Sequence, residues 1–234
     1  KEIPGIPPLE HGTAEIPVIP MSDKCVDTGS NSGRIPEDEQ RMLVDVATYP
    51  VSGVAERYRR LSLSSSRGCG IRRKLTDRGL IRSQRISTGK GSATILFLTD
   101  SGTQALRRLG HDVPDPPETK RYGGDKHRFW IGKIAQLLEE KGYYVKTEHP
   151  IGAGRTIDIA AFMDDWKVAV EVETGSSDVV SNVRKALAAE FHRVISVLPD
   201  KTSVDSLLSE LKRLDVDLEK VHVVAYGDIE NSVD

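Results

Sequence analysis

The sequence of 234 residues has few cysteines and no long apolar run. Its two cysteines, Cys25 and Cys69, are far apart and lack metal-ligand spacing, a usage typical of the reducing cytoplasm, where we expect the protein to reside. No apolar run approaches the roughly 20 residues that span a bilayer, so we predict no membrane partner. The phosphate-binding pattern G-x-x-x-x-G-K-[ST] is also missing, which excludes a P-loop motor from this stretch.

Charge is balanced overall but unevenly distributed. The formal net charge is -2, yet the segment from Arg57 to Lys90 contains eleven basic residues and a single acid, Asp77. Such a cluster can neutralise several phosphates, so we predict that DNA is a partner. A solvated basic face and a protein-contact surface are the alternatives. The candidate DNA-binding residues are Arg67, Arg72, Arg73, Lys74, Arg78, Arg82, Arg85 and Lys90.

The basic segment lies within a pattern of three helices, a hairpin and a closing helix. The first helix follows Pro36, the second is expected to be capped by Ser52, and the third ends at Gly79 as a C′ residue would. Two strands then flank a turn at 89–91, and Asp100 or Ser101 caps the last helix. The succession K-L-x-x-x-G-L-I, basic hairpin and L-T-x-x-G resembles MarR-type winged helix-turn-helix domains, which implies DNA binding.

A second pattern is an acidic hairpin between Arg155 and Thr174. Two β-rich runs flank a polar turn at 163–165, with Asp158 in the first run and Glu171 and Glu173 near the end of the second. Because side chains alternate along a strand, both glutamates share one face. A lone buried carboxylate costs several kcal/mol or takes up a proton. The pattern therefore indicates that the two glutamates lie at a strand edge or hold a cation.

Asp158 followed by Glu171-Val172-Glu173 resembles the signature of the PD-(D/E)xK, or restriction-endonuclease-like, nucleases. The resemblance implies an α/β/α sandwich with a mixed sheet, catalytic roles for Asp158, Glu171, Glu173 and Lys185, and Mg²⁺ or Mn²⁺ held by Asp158 and Glu171. The departure is Glu173, which stands where a lysine is usual; Lys185 on the next helix is the substitute. The preceding helix, which His127, Arg128 and Trp130 open, lacks the acid that the resemblance often places in its early turn.

These patterns predict an α/β protein with an N-terminal winged helix-turn-helix domain and a C-terminal restriction-endonuclease-like domain. The predicted layout is a proline-rich, disordered leader over 1–36, the winged helix over 37–111, a linker over 112–125, the nuclease-like domain over 126–228 and a tail over 229–234. The C-terminal half is also similar to C-terminal segments of archaeal HerA-like and conjugation-type ATPases. Because the chain begins at Lys1, we expect it to be a piece of a longer protein.

The function expected from this layout is Mg²⁺-dependent cleavage of DNA phosphodiesters by a DNA-binding protein. Two alternatives remain open. In the first, the nuclease fold is inactive and serves as a DNA- or protein-binding adaptor. In the second, the chain is a winged-helix transcription regulator that senses a ligand. The resemblance adds a DNA-translocating ATPase, in the same or a separate chain, as a partner, and a homodimer is left open. The carboxylates are neutralised by Arg155, Lys167 or Arg184 if no metal binds.

Overall fold

Three helices, a two-stranded hairpin and a fourth helix make up the first half of the described chain. The computed structural model describes residues 35–89, 91–113, 124–174 and 178–232, so the leader predicted over 1–36 and the linker predicted over 112–125 lie mostly outside it. The elements are α1 Glu37–Thr48, α2 Val54–Arg60, α3 Ser65–Asp77, β1 Ile81–Ser87, β2 Ser92–Leu98 and α4 Asp100–Arg108.

The helix ends follow local chemistry. Pro36 precedes α1 as predicted, and Gly79 follows α3 with φ +66°, a conformation that glycine adopts without steric cost. Two predicted caps are wrong by one or two positions. Gly53, not Ser52, occupies the N-cap of α2, and α4 is capped by Thr99, whose hydroxyl accepts from Gly102 N at 3.1 Å.

A buried ion pair fixes α1 against α2. The Arg57 side chain is fully buried and donates from Nη1 to Asp45 Oδ1 at 2.7 Å and to the Asp45 carbonyl at 2.8 Å. Its Nε donates to the carbonyl of Ser52 at 3.2 Å, and Arg60 Nε approaches the other Asp45 oxygen at 2.6 Å. Arg57 therefore belongs to the interior and is not part of the basic surface that the sequence suggests.

The second half is built around a five-stranded mixed sheet. Its order is β3-β4-β5-β6-β7, with antiparallel pairing from β3 to β5 and parallel pairing from β5 to β7. The prediction of an α/β protein with a mixed sheet is confirmed. The elements are α5 Asp125–Glu140, β3 Tyr144–Pro150, β4 Thr156–Met163, β5 Trp166–Val172, α6 Val179–Ala188, β6 Arg193–Leu198, α7 Lys201–Arg213, β7 Val221–Ala225 and a short 3-10 helix Ile229–Asn231.

Apolar clusters cover both faces of this sheet. Helix α5 packs Ile134 and Leu138 against one face, where Val170 is a neighbour. Helix α6 packs Val183 against the opposite face, which presents Ala169. Since Glu171 is two residues beyond Ala169 on β5, it points to the α6 side. None of the helices in the described residues is long and apolar enough to cross a membrane.

Strand β2 is shared by two apolar clusters. Ile95 is fully buried among residues of α5 and the sheet, whereas its neighbour Leu96 is fully buried among α1, α3 and α4. The hairpin tip lies against the residue that follows β7, because a Cβ added at Gly89 would overlap the Gly227 backbone. The described residues from Ile35 onward accordingly form one compact unit.

Candidate functional site

Asp158 lies on strand β4 and is held by two neighbours. Its Oδ2 accepts the backbone N–H of Val172 at 2.8 Å and lies 3.0 Å from His127 Nε2. His127 is on the first turn of α5, which begins at Asp125, so the prediction that this turn lacks an acid is wrong. Asp125 pairs with Arg82 and Arg128 and not with the carboxylate cluster. The Asp158 carboxylate is therefore fixed from β5 and from α5 at once.

Glu171 is the most unusual ionisable group of the cluster. Only 1% of its surface is exposed, and Lys185 Nζ on α6 lies 3.0 Å from Oε1 in an ion pair. Burial and then the Asp158 charge raise the pKa of Glu171 to about 8, while Lys185 acts in the opposite direction. The cation that neutralises Glu171 is thus Lys185, rather than Arg155, Lys167 or Arg184. A second positive charge would further favour the ionised carboxylate.

Glu173 follows the end of β5 and is engaged in a different network. Its side chain accepts a hydrogen bond from Asn182 Nδ2 at 3.0 Å, and Lys185 Nζ donates to Asn182 Oδ1 at 3.3 Å. Tyr226 donates its hydroxyl to the Glu173 carbonyl. Asn182 therefore connects Glu173 to the Glu171–Lys185 pair, so all four predicted catalytic side chains belong to one cluster at the α6 face.

A further carboxylate, Glu148, was missed by the sequence analysis. It lies on β3 opposite Asp158, between the paired positions Thr147–Ile159 and His149–Ile157, and has φ +50°. Burial and then the Asp158 charge raise its pKa, whereas His127 and Lys185 lower it. The strand that precedes the acidic hairpin was not considered in the sequence analysis. Pairing it with the Asp158 strand across the short turn at 151–155 would have placed Glu148 beside Asp158.

The donor set suits a hard divalent cation. Mg²⁺ in proteins is commonly bound by one or two carboxylates and completes its shell with water, and Asp158 and Glu171 provide two carboxylates side by side. Burial of Glu171 beside a second carboxylate is a cost that a cation would reduce. Within the described ranges, no three or more His, Cys, Asp or Glu side chains are already arranged as a metal cage.

The predicted DNA-binding residues differ in their availability. Arg73 and Lys74 are exposed on α3, and Arg72 is half-buried with Nη2 3.5 Å from Cys69 Sγ. Arg85 is exposed and donates to Ser92 Oγ at 2.6 Å. Lys90 lies outside the described residues.

Three other predicted DNA-binding residues form ion pairs with acids. Arg67 pairs with Asp38 and Arg78 with Glu39, both on the first turn of α1. Arg82 makes a bidentate contact with Asp125 at the start of α5, and its guanidinium lies 4.6 Å from the Phe97 ring centre. Of the predicted DNA-binding residues that the structure describes, Arg72, Arg73 and Lys74 on α3 and Arg85 on β1 form no ion pair within the described residues.

Comparison with known proteins leaves the family open. No family profile matches the chain, and no curated protein matches it. One similar crystal structure, titled a protein of unknown function, AF1548, has 15% identity and a TM-score of 0.30 over 42% of this chain and 58% of its own. Another, protein VC1899 from Vibrio cholerae, has 10% identity and a TM-score of 0.37 over 84% of this chain and 55% of its own. The chain thus spans less than two thirds of either.

Proposed function

We propose that this chain is a DNA-binding protein whose carboxylate–lysine cluster hydrolyses phosphodiesters with Mg²⁺ or Mn²⁺. The observation that carries the proposal is the meeting of Asp158, Glu171 and Lys185 at one face of the sheet. The order of a helix, an antiparallel hairpin and parallel strands supports a PD-(D/E)xK-type domain. The helices and hairpin of residues 37–108 support a winged helix-turn-helix, with exposed Arg73 and Lys74 as phosphate contacts.

The side chains have separate tasks in this proposal. Asp158 and Glu171 hold the cation, which when bound polarises the scissile phosphate and lowers the pKa of a water molecule. His127 and the Val172 N–H keep Asp158 in place. Lys185 binds a non-bridging phosphate oxygen and stabilises the negative charge that develops there. It substitutes for the lysine that the motif usually places at position 173.

A cleavage assay with matched variants tests the proposal. Duplex, branched and single-stranded DNA are incubated with Mg²⁺ and with wild type, Glu171→Gln or Lys185→Met, and Glu139→Gln, an exposed change on α5, is the control. We expect Glu171→Gln and Lys185→Met to lose at least 100-fold in rate, as removal of one charge-stabilising group commonly does. Cleavage at equal rates by all four proteins, or by none, refutes the enzymatic proposal.

An adaptor without catalysis is the second candidate, and one observation favours it. Lys185 already forms an ion pair with Glu171 in the structure, so this buried carboxylate has one positive partner without a metal. Calorimetric titration with Mn²⁺ separates the candidates. A nuclease site should bind the ion in wild type and in Lys185→Met but lose it in Asp158→Asn, whereas an adaptor should give the same heat for all three proteins.

A further inference from the structure

An exposed aromatic side chain lies on the same face of the sheet as the carboxylate cluster. Tyr144 opens the edge strand β3 and is 65% exposed, the largest exposure among the large apolar side chains that the described ranges contain. Its register partner on β4 is Phe162, with ring centres 6.3 Å apart and ring planes inclined by 38°. The two rings form a small platform at the free edge of the sheet.

The platform carries a positive charge. Lys146 Nζ lies 5.5 Å from the Tyr144 ring centre and 6.0 Å from that of Phe162. Both distances fall in the range of cation–π attraction, which holds the ammonium over the rings. A ligand that offers a flat π-face together with a negative group would complement this surface.

The platform also points along the strands toward the cluster. Tyr144 and Lys146 alternate to one face of β3, Phe162 packs against the α6-side cluster from β4, and Glu171 points to the same side from β5. Phe162 and Asp158 lie on one uninterrupted strand, and the four residue steps from one to the other span about 13 Å at 3.3 Å each.

We propose that Tyr144, Phe162 and Lys146 bind an unpaired base of a single-stranded nucleic acid whose backbone continues to Asp158 and Glu171. The inference rests on the proposed function and specifies its substrate class as a strand with an unpaired end or branch. The bases of an intact duplex are stacked on one another, so their faces are closed to a side chain, whereas an unpaired base offers its face to any aromatic ring. Lys146 meets the adjacent phosphate and offsets the repulsion from Glu148.

Fluorescence anisotropy with a labelled oligothymidylate tests the proposal, in EDTA so that no cleavage occurs. Because stacking of one base on an aromatic ring contributes to binding, we expect Tyr144→Ala to lose about fivefold or more in affinity. Tyr144→Phe keeps the ring and should bind as wild type does. The matched control is Trp166→Ala, which removes a ring that is 44% exposed at the start of β5 and stacked on His192. Affinity for a blunt duplex should be the same for all variants.

The outcomes separate this inference from the proposed function. Loss of oligothymidylate binding in Tyr144→Ala alone supports the platform, even if no protein cleaves DNA. Unchanged binding in Tyr144→Ala, an equal loss in Trp166→Ala, or no binding by wild type overturns it, whatever the cleavage assay shows. If Tyr144→Ala instead converts a dimer into a monomer by light scattering without changing DNA affinity, the surface is a contact between copies of this chain and the proposal is wrong.

Discussion

Replacing Arg73 and Lys74 of helix α3 by alanine is expected to weaken duplex DNA binding and to flatten its salt dependence. Both side chains are exposed and make no ion pair within the described residues. Each phosphate contact steepens the fall of log K with log salt by about 0.9, so loss of both lowers the slope by about 1.8. A fourfold rise in salt should then cost wild type about twelvefold more affinity than it costs the variant.

Filter binding or anisotropy across a salt series measures this slope. The matched control is Lys212→Ala with Arg213→Ala, which removes the same charge from the last turn of α7. Arg82→Ala should leave the slope unchanged, because its guanidinium is engaged by Asp125. If the α3 variant keeps the wild-type slope, or if the α7 variant flattens it equally, the reasoning fails and DNA does not bind through α3.

Three further predictions concern stability. Arg57→Met leaves the Asp45 network without its buried partner and should lower the free energy of unfolding by about 3 to 5 kcal/mol, measured by urea titration. Gly89→Ala should lower Tm because φ is +75° and a Cβ would overlap the backbone beyond β7. Burial raises the pKa of Asp125, but two arginines more than offset this and hold it below its ordinary value. The ionised Asp125 therefore stabilises the fold above its unfolded-state pKa, and this contribution is lost as pH falls through its folded-state pKa. Asp125→Asn should therefore make the free energy of unfolding fall less steeply with decreasing pH.

Each of these has a matched control. Arg59→Met changes an exposed arginine on the same helix and should cost less than about 0.5 kcal/mol. Gly79→Ala has a similar φ of +66° but open space around the added Cβ, so it isolates the backbone cost of about 1–2 kcal/mol. Asp165 is exposed in the turn between β4 and β5, so Asp165→Asn should leave the loss of stability at acid pH as in wild type. Equal effects within any pair contradict the corresponding argument.

Local signals in the sequence were sufficient for much of the fold. Pro36 precedes α1 and Gly79 ends α3, as the sequence predicts. These features depend on short-range periodicity and backbone preference, which a single sequence displays. The alternation of Glu171 and Glu173 likewise predicts that both face one side, and both are in contact with α6.

Long-range packing was beyond the sequence. Arg57 reads as one more surface charge, and only the fold brings Asp45 and three carbonyl oxygens around it. Glu148 gains its significance from the register of β3 on β4, and a shift of one residue would turn it away from Asp158. The contact of Gly89 with Gly227 involves only backbone atoms, so no pattern of residue types in the sequence predicts it.

The burial of strand β2 on both sides fixes the distance between helix α3 and the carboxylate cluster. Because Ile95 is buried in one apolar cluster and Leu96 in the other, strand β2 belongs to both clusters. The hairpin therefore cannot move without exposing apolar side chains of both. Helix α3 and the carboxylate cluster are therefore held at a constant separation. For the proposed nuclease, this fixed separation predicts cleavage at one offset from the α3 contact and a single fragment length, where a flexibly tethered domain would give a series of lengths.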